Sequence, residues 1–135
     1  MIIHVLIKHE DCSILNARNG SVGIVPFTGT VESDLFTGII RPGGTDVQVT
    51  DTSGVKHLCA RYLLEGKDAT GKDCRIYVEN NGYFEKGHNP IPFTASPTFM
   101  TDSEYLFDIL CRPVYVSEGH PTPKGVDIWI IDPEK

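Results

Sequence analysis

Apolar and polar residues alternate along most of this chain in short runs, and turn-forming residues separate the runs. A period of two puts successive side chains on opposite faces of a strand. The segment Thr45-Asp46-Val47-Gln48-Val49-Thr50 shows it most plainly. Residues 22–31 (with a Pro-Phe-Thr-Gly irregularity), 35–41, 55–64, 74–78, 93–100, 108–116 and 126–131 read as further strands. Between them, Asn19-Gly20, Pro42-Gly43-Gly44, Asp51-Thr52-Ser53-Gly54, the Gly- and Asp-bearing stretch 65–73 and Asn81-Gly82 read as turns. Thr101-Asp102-Ser103-Glu104 resembles a helix start, which predicts one short helical turn at 101–106. About eight to nine strands joined in sequence predict an antiparallel meander. An open meander leaves two edges unpaired, and closure removes both. The expectation is therefore an all-β, antiparallel closed barrel, with residues 1–135 forming one domain.

Composition supports that reading. Ile and Val number 24 against 12 for Ala and Leu, and 11 Thr, 13 Gly and 9 Pro complete a strand-and-turn vocabulary. At 40% hydrophobic and 22% charged, the chain reads as soluble and globular rather than disordered. The net charge of −6 repels phosphates and argues against nucleic acid or an anionic membrane as partner.

The apolar run at residues 1–7 lacks a basic leader and is too short for a signal peptide or a membrane span. Cys12, Cys59, Cys74 and Cys111 form no C-x-x-C pair. Free thiols in a cytoplasmic protein are the expectation. Neither His57-x-Cys59 nor His9 near Cys12 has zinc-site spacing, so no metal is expected, and no motif calls for a cofactor. The stretch 66–73 mimics a phosphate loop, but Asp73 stands where Ser or Thr should hold magnesium, and a strand follows rather than a helix.

Several segments share order and spacing with one known family. They are Gly43-Gly44-Thr45-Asp46-Val47-Gln48, Asp51-Thr52-Ser53-Gly54-Val55, Ala60-Arg61-Tyr62 and Ile76-Tyr77-Val78-Glu79-Asn80-Asn81-Gly82. Phe27-Thr28-Gly29-Thr30 and Leu35-Phe36-Thr37-Gly38 extend the likeness. The chain resembles the domain of unknown function three-two-three-seven, whose members are similar to calycins, the lipocalin-like barrels. The resemblance implies that fold and no settled activity. Val47 departs from it where the family usually has Trp, and Phe93-Thr94-Ala95 and Phe99-Met100-Thr101 lack the family's Arg and Glu.

Strand parity groups the residues that carry chemistry. Asp46, Gln48 and Thr50 share one face, as do His57, Cys59 and Arg61, and as do Arg75, Tyr77 and Glu79. If the Asp51–Gly54 turn pairs Thr50 with Val55, Asp46 falls opposite Cys59, and Arg61 lies one pleat further on the same face. Asp46 and Arg61 would then meet at the lumen or its mouth. Candidate catalytic residues are Asp46, Arg61, Tyr77 and Glu79, and candidate ligand contacts are Asp46, Gln48, Arg61 and Tyr77. The opposite parity makes the same residues a solvated outer face.

Three functions remain open at this level. A binding barrel would hold a small, largely apolar molecule, with Arg61 as anchor. An isomerase, cyclase or hydrolase would use Asp46 or Glu79 as general acid or base, with Tyr77 or Arg61 facing an oxyanion. A filled barrel would serve as an oligomeric scaffold. Self-association, most simply a homodimer, is expected from outward Ile and aromatic residues or from the His120-Pro121-Thr122-Pro123 loop.

Overall fold

The computed structural model describes residues 3–88 and 90–134. Its first six strands are β1 (Ile3–His9), β2 (Ser13–Ala17), β3 (Gly20–Glu32), β4 (Phe36–Ile40), β5 (Thr45–Thr50) and β6 (Lys56–Asp68). They are followed by β7 (Asp73–Phe84), β8 (Phe93–Thr101), the helix α1 (Glu104–Leu110), β9 (Val116–Pro121) and β10 (Gly125–Ile131).

Every pairing is antiparallel. The first half of β3 lies between β2 and β5, and its second half between β1 and β4. β6 in turn takes β5 along its first half and β4 along its last. β1 with β2, and β4 with β5, thus act as two broken staves laid along the 13-residue strands β3 and β6. β7, β8, β9 and β10 follow in order, and β10 pairs back onto β1. Eight staves close the barrel, as the edge-strand argument anticipates. Among the described residues β2 pairs with β3 alone, so its outer edge stays unpaired.

Closure demands close strand contact at β4 and β6, where Gly38 sits opposite Gly66. A Cβ on Gly66 would lie 1.9 Å from the Thr37 carbonyl oxygen, so only glycine fits.

Inward side chains fill one end of the barrel completely. Ile3, Phe36, Leu64 and Ile76 form its core, and Leu106 and Leu110 of α1 pack into the same cluster. Ser103 caps the helix: its Oγ accepts from the Leu106 amide and donates to Asp68 Oδ2 at 2.7 Å. The helix therefore plugs this end. The other end, where β5 stops and β6 starts, stays open.

The structure corrects several local expectations. Residues 65–68 continue β6 rather than forming a loop, because Gly66 and Lys67 pair with Gly38 and Thr37 on one side and Cys74 and Asp73 on the other. Asn81-Gly82 is not a turn but the interior of β7, held between β6 and β8. The helix begins at Glu104, after the Ser103 cap, and runs to Leu110, so the strand expected over 108–116 is absent and β9 starts at Val116. β1 and β2 were not foreseen as strands.

Candidate functional site

Register decides which face looks inward. The turn after β5 pairs Thr50 with Lys56, not with Val55, leaving five loop residues instead of four. The Asp51 carboxylate holds this loop by accepting from the Ser53 amide and hydroxyl and the Val55 amide, and Gly54 supplies a positive φ of 91°. One extra residue inverts the relation between the two strands. Asp46 stands opposite Ala60, while Arg61 stands opposite Thr45. Asp46 and Arg61 therefore do not meet: Asp46 points into the barrel and Arg61 to solvent.

Inside, Asp46, Tyr62 and Asn80 line a chamber of about 40 Å³ with Phe27, Leu58, Ala60 and Phe93 among its apolar walls and His9 at its rim. Gln48 Nε2 donates to Asp46 Oδ2 at 2.8 Å. Among the described residues, neither the buried Asp46 Oδ1 nor the buried Tyr62 hydroxyl has a hydrogen-bond partner. Burial pushes the Asp46 carboxyl above its ordinary value, against the lowering pull of the Gln48 hydrogen bond and, more weakly, of His9, Lys56 and the Cys59 backbone amide. Burial alone pushes the Tyr62 phenol far up, so it stays protonated. The ring of Tyr62 is set by an edge-to-face contact with Phe27, centroids 5.3 Å apart. Deeper polarity is satisfied: Ser117 Oγ donates to Asn80 Oδ1 at 2.9 Å.

Leu58 and Phe93 also line a second space of about 230 Å³ at the open end, walled by Gln48, Lys56, Phe84, Pro90 and Ile91. A narrow polar-headed chamber thus continues into a wider, mostly apolar mouth. Phe93 owes its place to Gly119 directly opposite on β9, since a Cβ there would lie 2.0 Å from the ring.

The other candidates gather outside. Arg61 Nε lies 2.9 Å from Glu79 Oε1, and Tyr77 donates its hydroxyl proton to the same oxygen at 3.3 Å. Asn81 donates to Glu79 Oε2, and His57 Nε2 sits 2.9 Å from Asn81 Oδ1 while stacking on Tyr83 at 4.4 Å. Burial, reinforced by Glu79, raises the Tyr77 pKa. This is a self-satisfied surface network. Beside it, register aligns Leu15, Val22, Val49 and Tyr83 in an outward row across the wall.

Of the sequence-derived set, the structure places Asp46 and Gln48 at the chamber and mouth, and Arg61, Tyr77 and Glu79 on the outer wall. Tyr62 and Asn80 line the chamber and were not among the candidates. Both were legible in the matched segments Ala60-Arg61-Tyr62 and Val78-Glu79-Asn80, had the five-residue turn been recognised. Among the described residues, no group of three or more His, Cys, Asp or Glu side chains is arranged to hold a metal ion. All four cysteines are free thiols. No helix among the described residues is long and apolar enough to cross a membrane.

The fold and its open-ended lumen define a closed antiparallel barrel protein with a lined internal cavity. Its sequence profile places it more narrowly: the chain belongs to the family described as protein of unknown function DUF3237, which matches residues 1–132. A UPF0311 protein of Clostridium acetobutylicum is 32% identical over 101 residues, covering 72% of this chain and 61% of that protein's length. The chain thus spans less than two thirds of that relative. Crystal structures give the same fold. A protein of unknown function from Clostridium acetobutylicum matches with a TM-score of 0.75 at 24% identity, covering 96% of this chain and 91% of that one. A beta-barrel like protein from Acinetobacter baumannii matches at 0.68 and 22% identity, covering 94% and 90%.

Proposed function

We propose that the barrel binds a small, largely apolar molecule through its open end, in the manner of lipocalin-like carriers, with a hydroxyl-type head group in the chamber. The observation that carries this reading is the pair of buried polar atoms without protein partners, Asp46 Oδ1 and the Tyr62 hydroxyl, lining one chamber. Each unpaired buried group costs about 1–3 kcal/mol, which a ligand hydrogen-bonding to both recovers. Asp46 Oδ1 accepts, and the phenol both donates and accepts, so a hydroxyl complements the two. A chamber of about 40 Å³ suits a head of few atoms, and the mouth of about 230 Å³ suits an apolar body.

Titration with para-cresol and its hydroxyl-free analogue para-xylene, followed by amide NMR shifts, tests the reading. The expected result is saturable binding of para-cresol to the lumen, at least about tenfold tighter than para-xylene. Tyr62→Phe should narrow that ratio. Equal binding of the two probes, or none of either, overturns it.

A second copy packing on the outer wall is supported by the outward row, in which Leu15, Val49 and Tyr83 are 59%, 45% and 69% exposed. Sedimentation at micromolar concentration tests it, a particle of 14.9 kDa counting against. The four free thiols support a cytoplasmic setting, which fractionation of the native host checks.

A further inference from the structure

We propose that the same chamber catalyses proton transfer on a small enolisable ketone, with Asp46 as general base and the Tyr62 hydroxyl as donor to the carbonyl oxygen. This rests on the binding site proposed above and adds chemistry to it.

Placement comes first. Asp46 is opposite Ala60, and Tyr62 lies two residues further on β6, so the two are diagonal neighbours on one inward face. Such neighbours stand roughly 7–8 Å apart at the backbone, close enough for both side chains to reach one small group between them. Both line the chamber, and each keeps a buried polar atom unspent on the protein. Gln48 occupies the other Asp46 oxygen and fixes the carboxylate's orientation. Phe27 fixes the phenol. A base and a donor are thus held in place before substrate arrives, which is the condition for electrostatic catalysis in a dry site.

The chemistry follows from what each group can do. The Asp46 carboxylate removes a proton from the carbon next to the carbonyl. The electron pair of that C–H bond becomes a carbon–carbon π bond, and the carbonyl π pair moves onto oxygen. The Tyr62 O–H, which burial keeps protonated, donates a hydrogen bond to the developing enolate oxygen. Asp46, now a carboxylic acid, returns the proton to the same carbon, or to the far carbon of a β,γ-unsaturated ketone. The electrons then flow back and the carbonyl re-forms, giving the substrate with an exchanged proton in the first case and its conjugated isomer in the second. Desolvation makes this carboxylate a stronger base than an exposed one. Glycoside hydrolysis would instead call for two carboxyl groups flanking the bond, and among the described chamber residues Asp46 is the one carboxylate.

The groups that tune Asp46 come from three elements. His9 of β1 and Lys56 of β6 act through charge, and Gln48 of β5 acts through its hydrogen bond. The rate should fall on the acid side as Asp46 protonates, and that limb should persist in His9→Gln, which removes the neighbouring imidazole.

The test uses the β,γ-unsaturated isomer of cyclohexenone as probe. Ultraviolet absorbance reports conversion to the conjugated enone, and NMR in deuterated water reports exchange at the carbon next to the carbonyl. The intact protein should accelerate both over buffer at the same pH. Asp46→Asn should lower kcat at least about 100-fold. Tyr62→Phe should lower it by a similar factor. The far-ultraviolet circular dichroism spectrum of Asp46→Asn should match that of the wild type, which reports that the variant is folded. If the wild-type protein binds para-cresol yet accelerates neither reaction, the catalytic proposal is overturned and the binding site stands. If para-cresol does not bind and neither reaction is accelerated, both fall. Undiminished turnover in Asp46→Asn also overturns it.

Discussion

Two polar clusters meet at β6, an outer one shared with β7 and an inner one shared with β5, and they have opposite character. Outside, Arg61, Tyr77 and Asn81 converge on Glu79, and His57 joins through Asn81. Inside, Asp46 and Tyr62 each leave a buried atom unpaired. Water screens and competes with the outer network, so its ion pair adds little. The inner pair is buried, where an unmet hydrogen bond costs more than at the surface. More charge on the outside does not make it the better site. What matters is which polar atoms the protein leaves for something else.

The largest effect should come from closing the inner cluster. In Gly119→Ala the new methyl displaces the Phe93 ring, which walls both chamber and mouth. Overpacking of this kind costs about 1–3 kcal/mol. Para-cresol binding should fall by more than about tenfold. Unchanged binding by calorimetry would mean that Phe93 does not shape the site.

Tyr62→Phe should separate stability from binding. Removing an unpartnered buried hydroxyl should raise unfolding stability by about 1 kcal/mol, measured in urea, while weakening para-cresol binding. A loss of stability would show that the hydroxyl is already satisfied.

Asp46→Asn should depend on pH. Burial raises the folded carboxyl above its ordinary value of 3.8, so the folded protein holds this proton more tightly than the unfolded chain does. Wild-type stability therefore falls as pH climbs from the unfolded value through the folded one, and the loss is complete above it. The variant should match wild type in acid and gain on it as pH rises through that window. Denaturation midpoints at a series of pH values read the difference, and a constant offset would sink it.

The smallest effect belongs outside. Arg61→Ala should leave para-cresol affinity unchanged and move the melting temperature by no more than about 4 °C, less in high salt. Lost binding would return Arg61 to the site.

These contrasts show what the sequence made legible. The alternation of residues 45–50 located β5 to the residue, and the count of short strands led correctly to a closed barrel. Local signals failed where tertiary pairing overrode them. Asn81-Gly82 is a turn dipeptide by itself, yet Asn81 is paired on both sides in β7, and Gly82 pairs with Leu58 and lies against Ala95. Ile109 and Leu110 read as strand residues, yet Leu110 buries itself as the last residue of a helix. The lining of the chamber was half legible. Asp46 and Gln48 emerged from the motif and the alternation, but Arg61 and Tyr77 were carried to the wrong side by one loop residue. The Asp51 side chain holds that five-residue turn, and no periodicity in the flanking strands records its length.

The plug formed by α1 also has a kinetic consequence. With the far end filled by Leu106 and Leu110, a molecule bound as proposed would enter and leave past the same residues, Phe84, Ile91 and Phe93. A competitor has no second doorway through which to push it out. Exchange must then wait for spontaneous departure, so the displacement rate should be set by the occupant alone and should not rise with the amount of competitor supplied.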